Sequence, residues 1–320
     1  MIKKVISIAL LFMSTMVFVS GCGAVTDKST SGDYVVKVNG VDVYKSEFMI
    51  YLNEAKINFE SIGGVDIWET DFEGTTAEEV AKNSAIKAIE LVKVSNQKAD
   101  ELGITLDDSE KETANKEAEI EYKSLGDYAS KNDITLEDVE KVMQDKMLYT
   151  KVYQNVTSDF EISDADFNAY YDSVKDELMD YYTEYMLRSI YVTGYTKALE
   201  VVEKYNNGTS FDQLFDEYEE QEGIANEPEM SYKGDLENYF GLEFDVQVGN
   251  ISSILEGDDG YYIIKVEDVK SASEDEVIEN AREVYTSNKK EQLFNDEYTK
   301  WSEYIKVEKN EEVFNSIQVR

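Results

Sequence analysis

Residue 22 is the only cysteine in this chain of 320 residues. Without a second thiol no intramolecular disulfide can form, so whatever the chain folds into must be held by an apolar core. The length permits one: about 300 residues behind position 22 suffice for two compact domains, or for one domain interrupted by another. Histidine is absent altogether. That excludes a serine or cysteine protease triad of the usual kind, histidine-ligated zinc or haem, and any acid–base step through an imidazole. The formal net charge is −37. Phosphate binding depends on Lys and Arg, so nucleic acid is not an expected partner. The charge reads as solvated surface that keeps the protein apart from its neighbours.

Ahead of Cys22, Lys3 and Lys4 precede an apolar run from Val5 to Val19 and the tetrad Val19-Ser20-Gly21-Cys22. The run falls short of the roughly 20 residues a spanning helix needs and closes on small residues, the pattern of a cleaved secretory signal. The tetrad resembles the bacterial lipobox, in which the cysteine thiol receives a diacylglycerol and becomes the first residue of the mature chain. Residues 1–21 are therefore expected to be a lipoprotein signal peptide, Cys22 the lipidation site, and residues 22–33, small and polar, a flexible tether. Two or more acyl chains hold a protein stably on a membrane. The expected location is the extracytoplasmic face of the cell membrane, with the lipid as the only tie, because removal of Lys3 and Lys4 leaves the body still more acidic.

The folded part is expected to begin at Tyr34. Val36, Val38, Val41 and Val43 lie around Asn39-Gly40, a pair suited to a type I′ hairpin turn. A helix follows, with Ser46 as its cap and Phe48, Tyr51, Leu52, Ala55 and Phe59 on one face. Residues 75–160 read as almost wholly helical, with starts at Thr76, at Thr105 to Asp108 and at Thr135 to Asp138, and a stop at Gly103. Ser163 opens a further helix carrying Phe167, Tyr170, Tyr171 and Leu178. From residue 184 the pattern changes to a β-α-α-β-β series. It comprises a strand over Met186 to Val192, helices over Lys197 to Tyr205 and Phe211 to Tyr218, a weak strand near Gly234 to Tyr239, and a strong one over Tyr261 to Val266. Helical character returns from Glu274 to about Tyr304, and Tyr304 to Glu308 forms a closing strand able to pair with the opening hairpin.

These pieces resemble, in family order, the extracytoplasmic foldases of the PrsA and SurA kind, which carry a parvulin-type prolyl isomerase domain. The resemblance rests on Val38-Asn39-Gly40, Glu161-Ile162-Ser163-Asp164 leading to Tyr170-Tyr171, and Asn207-Gly208-Thr209-Ser210-Phe211. It continues in Lys233-Gly234-Asp235-Leu236, Val248-Gly249-Asn250-Ile251-Ser252 and Gly260-Tyr261-Tyr262-Ile263-Ile264-Lys265-Val266. It implies an α+β fold: a helical, SurA-N-like chaperone domain over 34–183, completed by the helix and return strand of 273–320, with a small parvulin-like domain inserted over 184–272. It implies unfolded or newly secreted polypeptides as partners, and a homodimer is compatible with it.

Family parvulins set two histidines at the floor of the prolyl site, near a cysteine or aspartate. The corresponding positions here are Ser189 and Tyr262, with Gln221 at the third, while Leu236 and Phe240 belong to the pocket side. Only residues 241–247 separate Phe240 from Val248, where the family carries a longer segment with a pocket aromatic. Rotation about an X-Pro bond meets a barrier of about 18–20 kcal/mol, and lowering it requires a shaped pocket with oriented polar groups. Ser189 and Tyr262 cannot reproduce paired imidazoles. The leading expectation is a membrane-anchored folding factor whose parvulin-like domain is weak or inactive as an isomerase. An active isomerase is the alternative, and a solute-binding or surface lipoprotein the second. No cofactor or metal is expected: Glu256 to Gly260 lacks the alternating ligands of a calcium loop and reads as a turn. Asp107, Asp108 and Glu110 read as helix-start charges.

Overall fold

In a computed structural model, residues 34–220, 226–257 and 259–319 are described. Cys22, the leader and the tether lie outside them, as does Gln221. The chain folds as a helix-dominated α+β protein, and its elements cluster into two compact units. One unit holds the described residues up to Ile86, Ser130–Ile134 and those from Lys306 on; the other holds Lys87–Ala129 and Thr135–Ile305.

The first unit is built on the hairpin of β1 (Tyr34–Val38) and β2 (Val41–Tyr44), paired Val36 to Val43 and Val38 to Val41. Asn39 and Gly40 both take positive φ, 47° and 86°, as the type I′ turn demands. Helix α1 (Lys45–Gly63) buries Phe48, Ile50 and Leu52. It starts one residue before the expected cap: Tyr44 ends β2 in extended backbone and leads straight into the helix, so Ser46 lies in the first turn and does not cap. A short 3-10 helix (Val65–Glu69) and the pair β3 (Asp71–Phe72) and β4 (Thr75–Thr76) follow. Trp68 stacks on Phe59 there, with ring centroids 5.8 Å apart. Helix α2 (Ala77–Leu102) then leaves this unit and enters the second.

In the second unit, α3 (Asp108–Leu125) and α5 (Leu136–Val156) form a hairpin, with the short α4 (Asp127–Lys131) between them in sequence. The pairs Asn115–Gln144 and Glu110–Lys151 fix them antiparallel. Asp107 with Glu110 and Thr135 with Asp138 close reciprocal capping boxes at their starts, which accounts for the acidic residues at these positions. Helix α6 (Asp164–Tyr181), capped by Ser163, buries Phe167 and Tyr171 against Val277 and Ala281 of a long helix nearer the C-terminus.

The four-stranded antiparallel sheet of this unit begins with β5 (Glu184–Val192). Helices α7 (Tyr195–Asn206) and α8 (Phe211–Tyr218), the latter with a Ser210–Gln213 capping box, precede β6 (Glu229–Tyr232). The segment expected as a strand near Gly234 to Tyr239 is instead helix α9 (Lys233–Phe240). Leu236 and Phe240, four residues apart, share one face of this helix, and its start is tied to the end of α6. Lys233 pairs with Asp180 at 2.8 Å, Tyr181 donates its hydroxyl to Asp235 at 2.6 Å, and a Cβ on Gly234 would lie 1.9 Å from the Tyr181 ring.

Strands β7 (Leu255–Glu256) and β8 (Tyr261–Lys270) complete the order β6-β5-β8-β7. Ile190, Val192 and Ile263 bury one face against Ala198, Val201 and Leu214 of α7 and α8; Tyr185, Leu187, Ile264 and Val266 bury the other against Leu236, Phe244 and Leu255. Helix α10 (Glu274–Ser302) ends the unit, with Phe294 buried beside Ala99 and Val152. In the first unit the chain closes with β9 (Val307–Lys309), antiparallel to β1 with Val38 opposite Val307, and helix α11 (Glu311–Ser316). The strand lies later than Tyr304 to Glu308: pairing opens where Asn39 N donates to Lys306 O at 2.7 Å, and Tyr304 stays exposed. None of the described helices is long and apolar enough to cross a membrane.

Candidate functional site

Alternation along β5 and β8 decides which side chains meet. Ser189 stands opposite Ile264, and Tyr191 opposite Tyr262. Ser189, Tyr191, Tyr262 and Ile264 therefore share one sheet face, the one covered by α9 and the chain after it. Four of the residues read from the sequence, Ser189, Leu236, Phe240 and Tyr262, come to that face. Among the described residues Ser189 shares no hydrogen bond with Tyr262, so the two positions are diagonal neighbours and not a bonded pair.

Around Tyr262 the face is aromatic. Its ring centroid lies 5.2 Å from Tyr191, 5.6 Å from Phe240 and 6.1 Å from Tyr239. Its hydroxyl donates to Asp259 Oδ1 and accepts from the Tyr239 hydroxyl, each at 3.4 Å, while the Tyr191 hydroxyl donates to the Asp259 carbonyl at 2.9 Å. Glycines let the turn close on these rings: a Cβ at Gly257 would lie 2.7 Å from Tyr262 Cε2, and one at Gly260 2.6 Å from Tyr191 Cε2. Burial, together with the Tyr239 hydroxyl bond, pushes the Tyr262 phenol far above its ordinary range. Burial and the neighbouring Asp259 raise that of Tyr191. Both phenols are neutral near pH 7. They can offer or accept hydrogen bonds but cannot exchange a proton as an imidazole does.

A cleft of about 430 Å³ opens along the chain after α9, lined among others by Leu242, Phe244, Val246, Asn250, Ser252 and Leu255. Neither Ser189 nor Tyr262 lines it. Its wall is pinned to β8 by Ser252, whose amide donates to the Ile264 carbonyl at 2.7 Å and whose hydroxyl accepts from the Ile264 amide at 2.9 Å. Glu237 of α9 holds the segment after it from the other side by accepting from the Phe244 amide at 2.9 Å. Among the described residues no group of three His, Cys, Asp or Glu side chains is placed to hold a metal ion.

The opposite face carries a group that sequence reading missed. Arg188, 12% exposed, donates to Glu267 at 2.7 Å and to the Asn226 side chain at 2.8 Å, pairs with Asp212, and lies 5.2 Å over the Phe211 ring. Lys265 shares Glu267 at 2.8 Å. The hydrogen bond from Arg188 holds the Asp212 carboxyl below its ordinary range. For Glu267 burial works upward, and the bonds from Lys265 and Arg188 outweigh it. The one available signal was an arginine inside a largely apolar strand. Cys22 and Gln221 lie outside the described residues.

No family model matches the chain. It is similar to the foldase protein PrsA of Caldanaerobacter subterraneus, 24% identical over 324 residues that cover 99% of this chain and 98% of that protein. It is similar also to the foldase protein PrsA of Halalkalibacterium halodurans, 25% identical over 256 residues, 78% of this chain and 69% of the other. Among solved structures, the foldase protein PrsA from Streptococcus pneumoniae aligns at 17% identity with a TM-score of 0.42, over 69% of this chain and 86% of its own. A SurA-like chaperone of Campylobacter jejuni aligns at 16% identity and a TM-score of 0.37, over 87% of this chain and 99% of its own. By sequence this chain is similar to foldase proteins named PrsA, in one case along nearly its whole length.

Proposed function

We propose that the protein is an extracytoplasmic folding factor, tethered to the membrane by lipid on Cys22, that binds newly exported unfolded polypeptides. In this reading residues 34–183 and 273–320 form the chaperone frame and residues 184–272 a parvulin-like insert that grips peptide without twisting it. The observation that carries the second half is the closure of Tyr191, Tyr239, Phe240 and Tyr262 on one another. Where an isomerase needs an open, shaped pocket with polar groups oriented on the twisted amide, this face presents phenols bonded to each other and to Asp259. Support for the first half is the relationship to proteins named as foldases.

The test uses the chain from residue 23 on. Equimolar protein is expected to suppress aggregation of a chemically unfolded, proline-free client and to leave the slow phase of a proline-limited refolding reaction at its spontaneous rate. Absence of suppression sinks the folding-factor reading. Acceleration of the slow phase that disappears in Tyr262→Phe sinks the non-catalytic reading in favour of an active isomerase. Lipidation is checked separately: the wild-type protein should partition with membranes and the Cys22→Ser protein should not.

A further inference from the structure

The C-terminal segment of the first unit is bound there much as a foreign peptide would be. Helix α11 has six residues, too few to persist unaided, and Asn310 caps it. Past it the chain is extended. Phe314, Ile317 and Val319 are 5%, 3% and 4% exposed, while Glu311, Glu312, Asn315, Ser316 and Gln318 face solvent. A single apolar ridge thus points inward from an otherwise polar segment.

Its receptor is made by the opening elements of the chain and by β9 just ahead of the segment. The Phe314 ring meets Phe48 edge-on at 6.1 Å, and the ammonium groups of Lys82 and Lys309 stand 5.5 Å and 4.7 Å from its centroid. Buried Lys82 donates to the Phe314 carbonyl at 3.4 Å, and the Asn310 amide donates to the Val35 carbonyl at 3.0 Å. The groove therefore recognises one aromatic ring, by its edge and its face, and one backbone carbonyl. Burial lowers the hold of Lys82 on its proton, so the cation gains from any carbonyl that reaches it. Segments held by few bonds are where local opening concentrates.

We propose that this groove is a peptide-binding site occupied in the free protein by the chain's own C-terminal segment. Displacement of that segment admits a client residue run of the same form: an aromatic followed by aliphatic side chains three and five positions on. That clients use the groove rests on the folding-factor reading; that the segment exchanges with peptide does not.

The probe is a labelled synthetic peptide with the sequence of residues 310–320, titrated by fluorescence anisotropy into the whole chain from residue 23. The double variant Phe314→Ala, Ile317→Ala is expected to bind it at least about tenfold more tightly than wild type, because the resident segment no longer competes. The same peptide carrying alanine at the two positions should lose binding by a similar factor. An unrelated peptide of the aromatic-aliphatic-aliphatic spacing should displace the label from the double variant. Equal binding to wild type and variant, or loss of folded circular dichroism in the variant, overturns the exchange and makes the segment plain core. Binding of the tail peptide without competition by the unrelated one overturns the client part, whatever the aggregation assay has said of the folding-factor reading.

Discussion

The two faces of the four-stranded sheet come from the same two central strands and differ in what they carry. On one, Ile190, Val192 and Ile263 make an aliphatic contact on α7 and α8 with Val201 and Leu214, beside which Arg188 is satisfied by Glu267, Asp212 and Asn226. On the other, Ser189, Tyr191 and Tyr262 stand among Tyr239, Phe240 and Phe244, and the hydroxyls of three tyrosines are tied to one another or to Asp259. Because successive side chains point to opposite sides, the aliphatic face can hold the domain together while the aromatic face is free to change chemistry. A change of polar groups on one face then carries no penalty in the packing of the other.

The largest test of that division is on the aliphatic face. Leu214→Ala should lower unfolding free energy by about 2–5 kcal/mol, as deletion of fully buried methyl groups does, read from urea titration with the slope held constant. Gly234→Ala comes next, at about 1–3 kcal/mol from overpacking against Tyr181. Addition of Tyr181→Ala should recover part of it, and a double-mutant cycle with no coupling would contradict the contact.

Arg188→Met should cost about 1–2 kcal/mol near neutral pH, by stranding the part-buried Glu267, while Asp212, largely exposed, is solvated by water when its pair is lost. The sign with pH follows from their depressed ionisation in the folded state. Their contribution is present above the ordinary carboxylate values of 3.8 and 4.5, and is lost as pH falls through the lower folded values. The gap between wild type and variant should close in acid; a gap that widens would contradict the network. At the alkaline end Tyr181, raised to about 12 by burial and by its bond to Asp235, favours the folded state below pH 10. That contribution is lost between 10 and 12, and thermal scans should show it.

The smallest effect belongs to the aromatic face. Tyr262→Phe should change stability by less than about 1 kcal/mol, because the hydroxyl makes only two long hydrogen bonds in a partly exposed place.

Helix starts were the most legible part of the sequence, since Asp107, Thr135, Ser163 and Ser210 each bond an amide three residues on and the signal is local. The Asn39-Gly40 hairpin was legible for the same reason. Helix α9 was not, because what fixes it is the end of α6, some fifty positions earlier, through Asp180 and Tyr181. At the candidate site, Ser189 and Tyr262 were linked through the resemblance, and the strand register puts them on one face. Their separation was not legible, for it depends on register, and the closing of Tyr239 and Phe240 over Tyr262 depends on that helix. Arg188 could be seen as out of place in its strand, while its partners Asp212 and Glu267 are brought to it by the sheet and by α8. The ridge of Phe314, Ile317 and Val319 mixes helical and extended spacing, so no single period reveals it.

The order β2-β1-β9 places the first described strand in the middle of its sheet, with hydrogen bonds on both flanks. A pull arriving through the polypeptide ahead of Tyr34 is directed along β1, between two antiparallel neighbours. It loads both ladders lengthwise at once, and several bonds must break together before the strand slides. An edge strand would instead peel one bond at a time. For the lipid-tethered protein proposed above, this strand would be a mechanically strong point of attachment.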